Sequence, residues 1–409
     1  MNIEALFEKA IHITSPWYIT DIEFIEEQKR INIHIDFKKG AKFFYESSEE
    51  GIKGDFNAYD TCSKEWRHLN FFEHECYLVA RVPRIDAGAG KIRMIRTPWE
   101  GESSGFTLLF EALILQLSKS MPVHPMAKHI AEYDHKIWSV LKHYVENSIE
   151  KADYSNVHVI GIDETSQKRN HNYISLFVDL EKKRTIYIAQ GKDNKTVTAF
   201  AEDFKAHNGT VEAITDISCD MSPAFIKGVK ENIPNAEITF DKFHIIKIIN
   251  KAVNEVRKLE SSLNPLLKGQ KYVFLKNKIN LTKKQHDQLE CLSLPKLKLK
   301  SVRALLIRES FQEIYLANSE AEFIMLLKKW YFWATHCNLE PIKKAAKTIK
   351  NHWDGVIAWK RSNINNGILE GLNSIIQAAK AKSRGFRTFT NFRIMAFLLT
   401  GKLEFEILK

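Results

Sequence analysis

Apolar and polar positions alternate in short runs along the first hundred residues. Ile31-Asn-Ile-His-Ile-Asp-Phe37 alternates as a strand with one buried face should. Cys76-Tyr-Leu-Val-Ala-Arg-Val82 predicts a second strand, Ala87-Gly-Ala-Gly90 a turn, and Lys91 to Arg96 alternates again. Residues 1–100 therefore predict a small β-rich module. The pattern then turns helical over 105–150. Phe106 to Ser118 contains no breaker, Met121-Pro-Val-His-Pro125 interrupts, Met126 to Tyr133 predicts a short helix, and Asp134 can cap a helix from His135 to Asn147.

Between 157 and 241 the apolar runs are of strand length. Val157-His-Val-Ile-Gly-Ile-Asp163, Tyr173 to Leu180 and Arg184 to Ala189 predict three strands. Lys195 to His207 predicts an amphipathic helix closed by Asn208-Gly209. Val211 to Cys219 predicts a fourth strand ending at Asp220, Ser222-Pro223 a helix start, and Ala236 to Phe240 a fifth strand ending at Asp241. The first three strands are close enough for antiparallel hairpins, and the last two need parallel crossovers. Such a mixed sheet is the arrangement of an α/β RNase H-like core, its first part at 155–244. Residues 245–350 predict an all-helical insertion, and 351–409 complete the core. No internal repeat or low-complexity segment interrupts this organisation.

The length of 409 residues, with 44% hydrophobic and 27% charged positions, fits two or three folded domains. The richest apolar stretch, Phe106 to Leu117, already carries Glu111 and Gln116, so no membrane span and no membrane partner is expected. The N-terminus lacks a basic stretch followed by an apolar run, and the five cysteines include no CxxC pair. Both features predict a reducing cytoplasm. The net charge of +10 favours a polyanionic partner, most simply nucleic acid. The two short helices within 105–150, joined by a tight link and followed by the strand-rich region, are a candidate helix-turn-helix that presents His135, Lys136, Trp138 and Lys142 to DNA. A plain helical hairpin would give the same pattern. The lysines of the helical insertion fit either a solvated face or phosphate contact. Lys380, Lys382, Arg384 and Arg387 form a basic run suited to holding a DNA backbone.

Three acids stand out by position. Asp163 ends the first core strand, Asp220 the fourth, and Glu370 lies on a helix after the insertion, in Asn363-Ile-Asn-Asn-Gly-Ile-Leu-Glu370-Gly-Leu-Asn373. Strands one and four are neighbours in this order, so their acids should lie close together, and a late helix can add a third. Convergent carboxylates repel unless cations neutralise them. Oxygen donors suit Mg²⁺, with Mn²⁺ as a substitute. Paired ions of this kind serve phosphoryl transfer. A lone strand-end acid is more often a cap or a solvated group, and only the set of three favours chemistry. Asp241 is a rival for the second ligand position. Asp220 is preferred on topology, with Asp241 and His244 as active-site neighbours. Glu164 should point to the opposite face from Asp163.

Gly161-Ile-Asp-Glu164, Cys219-Asp-Met-Ser-Pro-Ala-Phe225, Phe240-Asp-Lys-Phe-His-Ile245, Leu369-Glu-Gly-Leu-Asn373 and Lys382-Ser-Arg-Gly-Phe386 resemble the transposases of the ISL-three family of bacterial insertion sequences. Upstream, Ala80-Arg-Val-Pro-Arg84, Pro98-Trp99 and Ser104-Gly-Phe-Thr107 are similar too. The resemblance runs from about residue 40 to about 400. It implies a DDE transposase that cuts double-stranded DNA at terminal inverted repeats and joins the freed 3′ ends to target DNA, as a homodimer or larger assembly. Carried over by position, Asp163, Asp220 and Glu370 match the family's catalytic, metal-holding acids. The family's usual N-terminal zinc ribbon has lost its cysteines here: the matching stretches are Phe44 to Gly51 and Asp86 to Gly90. Zinc is therefore not expected. Cys62, Cys76, His68 and His74 are the remote substitute set. Two rivals remain: another nuclease on the same fold, and a transposase remnant that binds DNA without cutting it.

Overall fold

The computed structural model describes all residues except 1, 2, 89, 104, 169–171, 363, 365, 366 and 409. Ala89 of the expected turn, Ser104 of the upstream motif, and Asn363, Asn365 and Asn366 ahead of Glu370 lie outside the described residues. The chain is a mixed α/β protein that divides into two compact units. One comprises Met1–Glu150, Ala379–Leu399 and Leu403–Lys409, the other Lys151–Ala378 and Thr400–Lys402. No helix among the described residues is long and apolar enough to cross a membrane.

The first unit opens with helix α1 (Ile3–Ala10) and strands β1 (Trp17–Ile25), β2 (Arg30–Phe37), β3 (Lys42–Ser47), β4 (Ile52–Asn57), β5 (Asp60–Phe71), β6 (His74–Asp86) and β7 (Ile92–Met94). The main sheet has the order β1-β2-β6-β5, with β7 on β6, while β3 and β4 form a separate hairpin. Ile31, Ile33 and Ile35 of β2 face the core, as their alternation predicts, together with Leu78, Ala80 and Val82 of β6. Trp99 packs edge-on against both Trp17 and Trp66, at 5.1 and 5.8 Å between ring centres. The alternating run Lys91 to Arg96 shortens to the three residues of β7. Cys62 pairs with Val82 across β5 and β6, whereas Cys76 pairs with His68. Strand residues advance about 3.3 Å each, so the two thiols lie roughly 20 Å apart and form no metal site together.

Three helices follow: α2 (Leu108–Ser118), α3 (Val123–His129) and α4 (Asp134–Glu150). The expected break at Met121 to Pro125 is narrower than its prolines suggest. Pro122 is the N-cap of α3 and Pro125 lies in its first turn, where backbone N–H groups have no intrahelical partner and proline removes nothing. Asp134 is the first residue of α4 and sits 3.2 Å from His124 Nδ1. Glu111 of α2 is fully buried, accepting from the Glu102 and Ser103 N–H groups and from the Tyr144 hydroxyl of α4.

The second unit is built on a five-stranded sheet. Its strands are β8 (Val159–Lys168), β9 (Asn172–Asp179), β10 (Arg184–Gln190), β11 (Asp216–Cys219) and β12 (Glu237–Phe240), in the order β10-β9-β8-β11-β12. The first three form an antiparallel meander, and β11 runs parallel to both β8 and β12. Helix α5 (Asn194–Ala206) crosses to β11, and α6 (Pro223–Asn232) crosses to β12. The expected fourth strand from Val211 is only four residues long, because Val211–Ala213 is a 3-10 turn. Ile160, Ile162 and Phe177 share one core with Phe200 and Phe204 of α5.

After β12 the chain is helical: α7 (Lys242–Ser261), α8 (Lys271–Leu275), α9 (Lys283–Leu292), α10 (Lys300–Ile314), α11 (Glu320–His336), α12 (Glu340–Asn351) and α13 (Trp353–Ser362). Phe311 and Trp330 join α10 to α11, and the Trp330 indole donates to Ile307 O. Gly355 lets α13 approach the Phe240 ring of β12 more closely than any side chain would allow. Helix α14 (Gly367–Lys382) starts in this unit and ends in the other, where α15 (Phe389–Thr400) follows.

Candidate active site

Asp163 is not the last residue of its strand, as the hydrophobic run suggested. β8 continues to Lys168 because its outer half still pairs with β9, through Glu164 to Ser175 and Thr165 to Ile174. β11 and β12 do stop short, at Cys219 and Phe240. The registers Gly161–Ser218 and Cys219–Phe240 bring Asp163, Asp220 and Asp241 into one row across three adjacent parallel strands. Asp220 and Asp241 each follow the last residue of their strand, and the Asp241 N–H donates to Cys219 O at 3.3 Å.

The three carboxylates are held differently. Asp220 Oδ1 accepts from the Ser222 N–H at 2.9 Å, at the entry to α6. Asp241 is the N-cap of α7 and accepts from the Phe243 N–H at 2.8 Å. Asp163 accepts from its neighbour's backbone, Glu164 N–H, at 2.8 Å on Oδ1, and from the Asn373 side-chain amide on Oδ2. Burial raises the Asp163 carboxyl above its ordinary range. The Glu164 N–H and His244 oppose that shift, and the charges of Asp241 and Asp220 add to it. His244 Nδ1 and Asn373 Oδ1 are both buried without a hydrogen-bond partner. His244 Nδ1 stands 3.5 Å from Asp241 Oδ2. Glu164, expected on the opposite face, lies 3.5 Å from Lys192, yet the pKa of its carboxyl is raised by burial and then by the charge of Asp220, with Asp163 adding to the effect.

Glu370 lies in the first turn of α14 and is exposed. It is one turn before Asn373, so the helix that bears it is tied to Asp163. Among the described residues, however, no three His, Cys, Asp or Glu side chains gather closely enough to hold a metal ion. The acids whose charges act on Asp163 are carboxylates, the oxygen donors a hard divalent cation takes. The repulsion between them and the orphaned Asn373 oxygen fit such an ion.

Sequence reasoning passed over three contributors. Asn373 and Gln377 were visible as a polar pair four residues apart, following Leu369 at the same spacing. Tyr315 had no local signal. Its hydroxyl is buried without a hydrogen-bond partner, and its pKa is raised by burial and then by the charge of Asp241. Lys242 lies over the Tyr315 ring at 4.5 Å.

The other expected contacts are on α4 and around the end of α14. His135 and Lys142 are exposed. Lys136 is engaged, 3.2 Å from Glu132 and over the Phe106 ring at 5.3 Å. Trp138 packs edge-on to Phe386. Lys382, Arg384 and Arg387 are exposed, while burial lowers the pKa of Lys380.

Compared with known families, residues 160–396 match the DDE-class transposase model of family ISL3, a span that takes in the whole aspartate row and Glu370. Residues 95–145 match the helix-turn-helix domain of transposase family ISL3, which covers α2, α3 and most of α4. The chain therefore belongs to the ISL3 family of transposases. Among its relatives is the transposase for insertion sequence element IS1001 of Bordetella parapertussis, 24% identical over 340 residues, covering 80% of this chain and 82% of that protein. Another is the transposase for insertion sequence element IS1557 of Mycobacterium tuberculosis, 23% identical over 414 residues, covering 94% and 92%.

Proposed function

We propose that this DNA transposase cuts and joins DNA at the terminal inverted repeats of its own insertion sequence, with Asp163, Asp220 and Glu370 holding divalent metal ions. The observation that carries the reading is the register of the sheet. It aligns Asp163 with Asp220 on adjacent strands and ties the Glu370 helix to Asp163 through Asn373. In this reading residues 155–244 and 351–409 make an RNase H-like core, interrupted by a helical insertion at 245–350. Residues 1–100 are a ribbon-derived module without zinc, and 105–150 is the helix-turn-helix.

Mg²⁺, or Mn²⁺ in its place, would supply Lewis-acid activation and charge neutralisation for in-line phosphoryl transfer. The chain's own residues do the rest. Asp163 is held on both oxygens, so its carboxylate is preoriented before substrate arrives. His244, beside Asp241, is placed to orient that carboxylate or to meet the DNA backbone. Lys380, Lys382, Arg384 and Arg387 hold phosphates, and His135 and Lys142 present α4 to the element end, with Lys136 joining them on release from Glu132. The working unit is a homodimer or larger assembly on DNA.

A labelled duplex bearing the element's end, incubated with Mg²⁺ or Mn²⁺, tests the proposal. Wild type is expected to nick at the repeat boundary and join the end to a second duplex, and Glu370→Gln to bind without cutting. Equal cutting by both proteins would remove Glu370 from the site. A second reading, a DNA-binding relative that does not cut, draws on the exposed position of Glu370. Binding without cutting by wild type would select it.

A further inference from the structure

Helix α14 and strand β8 meet in matched steps. Four residues of helix advance about 6 Å and two residues of strand about 6.6 Å, so every fourth helix position can meet every second strand position. Three successive pairs use this match. Leu369 lies over Gly161, the Asn373 amide donates to Asp163 Oδ2, and the Gln377 amide donates to Thr165 Oγ1 and, at 3.1 Å, to Ser166 O. The helix thus runs parallel to the strand on the face that carries Asp163. Leu369 also joins Val178 and Leu180 in a small apolar cluster that anchors the N-terminal end of this contact.

The middle pair differs from its flanks. Leu369 and Gln377 touch residues with no place in the acidic row, whereas Asn373 grips one of its members, Asp163, by the oxygen that the backbone leaves free. Its own oxygen is left buried with no partner. We propose that Asn373 is a positioning residue for the cation. It fixes the Asp163 carboxylate in its binding rotamer and, through the same bond, sets the register of the helix that carries Glu370. This rests on the metal-dependent reading above. Outer partners of ligating carboxylates are commonly worth about 10- to 100-fold in metal affinity.

The test is Mn²⁺ binding to the whole chain without DNA, by titration calorimetry, beside metal-free thermal unfolding. Asn373→Ala should bind Mn²⁺ about 10- to 100-fold more weakly. Asn373→Leu, which keeps the volume that docks the helix, should show the same loss. Gln377→Ala loosens the helix without touching Asp163 and should change affinity by less than about threefold, below the range of a direct carboxylate partner. In the metal-free protein, Asn373→Ala and Asp163→Ala should be non-additive in unfolding midpoint. Wild-type affinity in both Asn373 variants, or equal losses in Asn373→Ala and Gln377→Ala, would overturn the assignment while leaving the metal site standing. Wild type binding Mn²⁺ no better than Asp163→Ala would sink the metal reading itself, and this assignment with it.

Discussion

A β-carbon on Gly161 would stand 2.8 Å from Leu369 Cδ2 and 2.9 Å from Leu180 Cδ2, so the absence of a side chain at 161 is what lets α14 lie on the sheet two residues from Asp163. Gly161→Ala should therefore lift the helix and cost about 1–3 kcal/mol, the usual penalty of overpacking. Leu369→Ala in the same chain should restore part of that loss, because the two sites share one contact. Urea unfolding of the two single variants and the double variant measures this. Additive losses would show that Leu369 is not what constrains position 161.

Asp241 has two separable roles, and substitution can divide them. As the N-cap of α7 it can be replaced by asparagine at little cost, whereas alanine should lose about 1 kcal/mol. With Asp220 proposed as the second ligand, Asp220→Asn should lower strand cleavage by at least about 10²-fold, the scale of a lost group that stabilises charge. Asp241→Asn should lower it by no more than about tenfold on that scale. The reverse order of effects in a duplex-cleavage assay would exchange the two assignments.

The first unit should weaken in acid through His68. This imidazole is buried, shares a hydrogen bond with Thr107 Oγ1 at 2.9 Å, and has its pKa pushed down to about 4 by burial, with Arg67 adding to the effect. The unfolded chain takes up this proton near pH 6.5, and the folded chain only near 4. The stability this residue contributes is complete above pH 6.5 and is lost as the pH falls toward 4. The slope is at most about 1.4 kcal/mol per pH unit for one proton. Thermal unfolding between pH 7.5 and 4.5 should show the decline, and His68→Gln should flatten it. An unchanged slope in that variant would place the acid sensitivity elsewhere.

Lys382 and Arg384 lie exposed at and just beyond the end of α14, Arg384 in the left-handed backbone region that turns the chain away from the helix. If both contact phosphates, replacing both by glutamine should reduce the slope of log binding constant against log salt by about 2, close to 0.9 per contact. Fluorescence anisotropy with a duplex at several salt concentrations reads the slope. A weaker constant at unchanged slope would mean that the loss comes from altered folding rather than from missing phosphate contacts.

Much of the second unit was legible because its strands announce themselves. Val159 to Asp163, Ile174 to Val178 and Ile186 to Ile188 are apolar runs too short for helices, and Asn208-Gly209 and Ser222-Pro223 mark helix ends by local backbone chemistry. The same local chemistry misled at Pro125, where a helix breaker sits harmlessly in a first turn, and at Val211, where an apolar run became a 3-10 turn. In the first unit β1, β3, β4 and β5 were not recognised, since their burial patterns are mostly half-exposed and their apolar residues irregularly spaced.

The amino-acid order by itself determined which acids follow apolar strands, that the chain is basic, and that helices fill the stretch between Asp241 and Glu370. These are local or summed properties, set by side-chain periodicity and charge. Only the tertiary structure decided that Asp163, Asp220 and Asp241 share one row, because register depends on pairing between strands that are separated in the chain by helices and turns. It also decided that Asn373, rather than Glu370, is the residue of α14 that touches Asp163. That contact follows from how a helix with a rise of about 1.5 Å per residue lies along a strand with one of about 3.3 Å, a match that no local pattern in either segment contains.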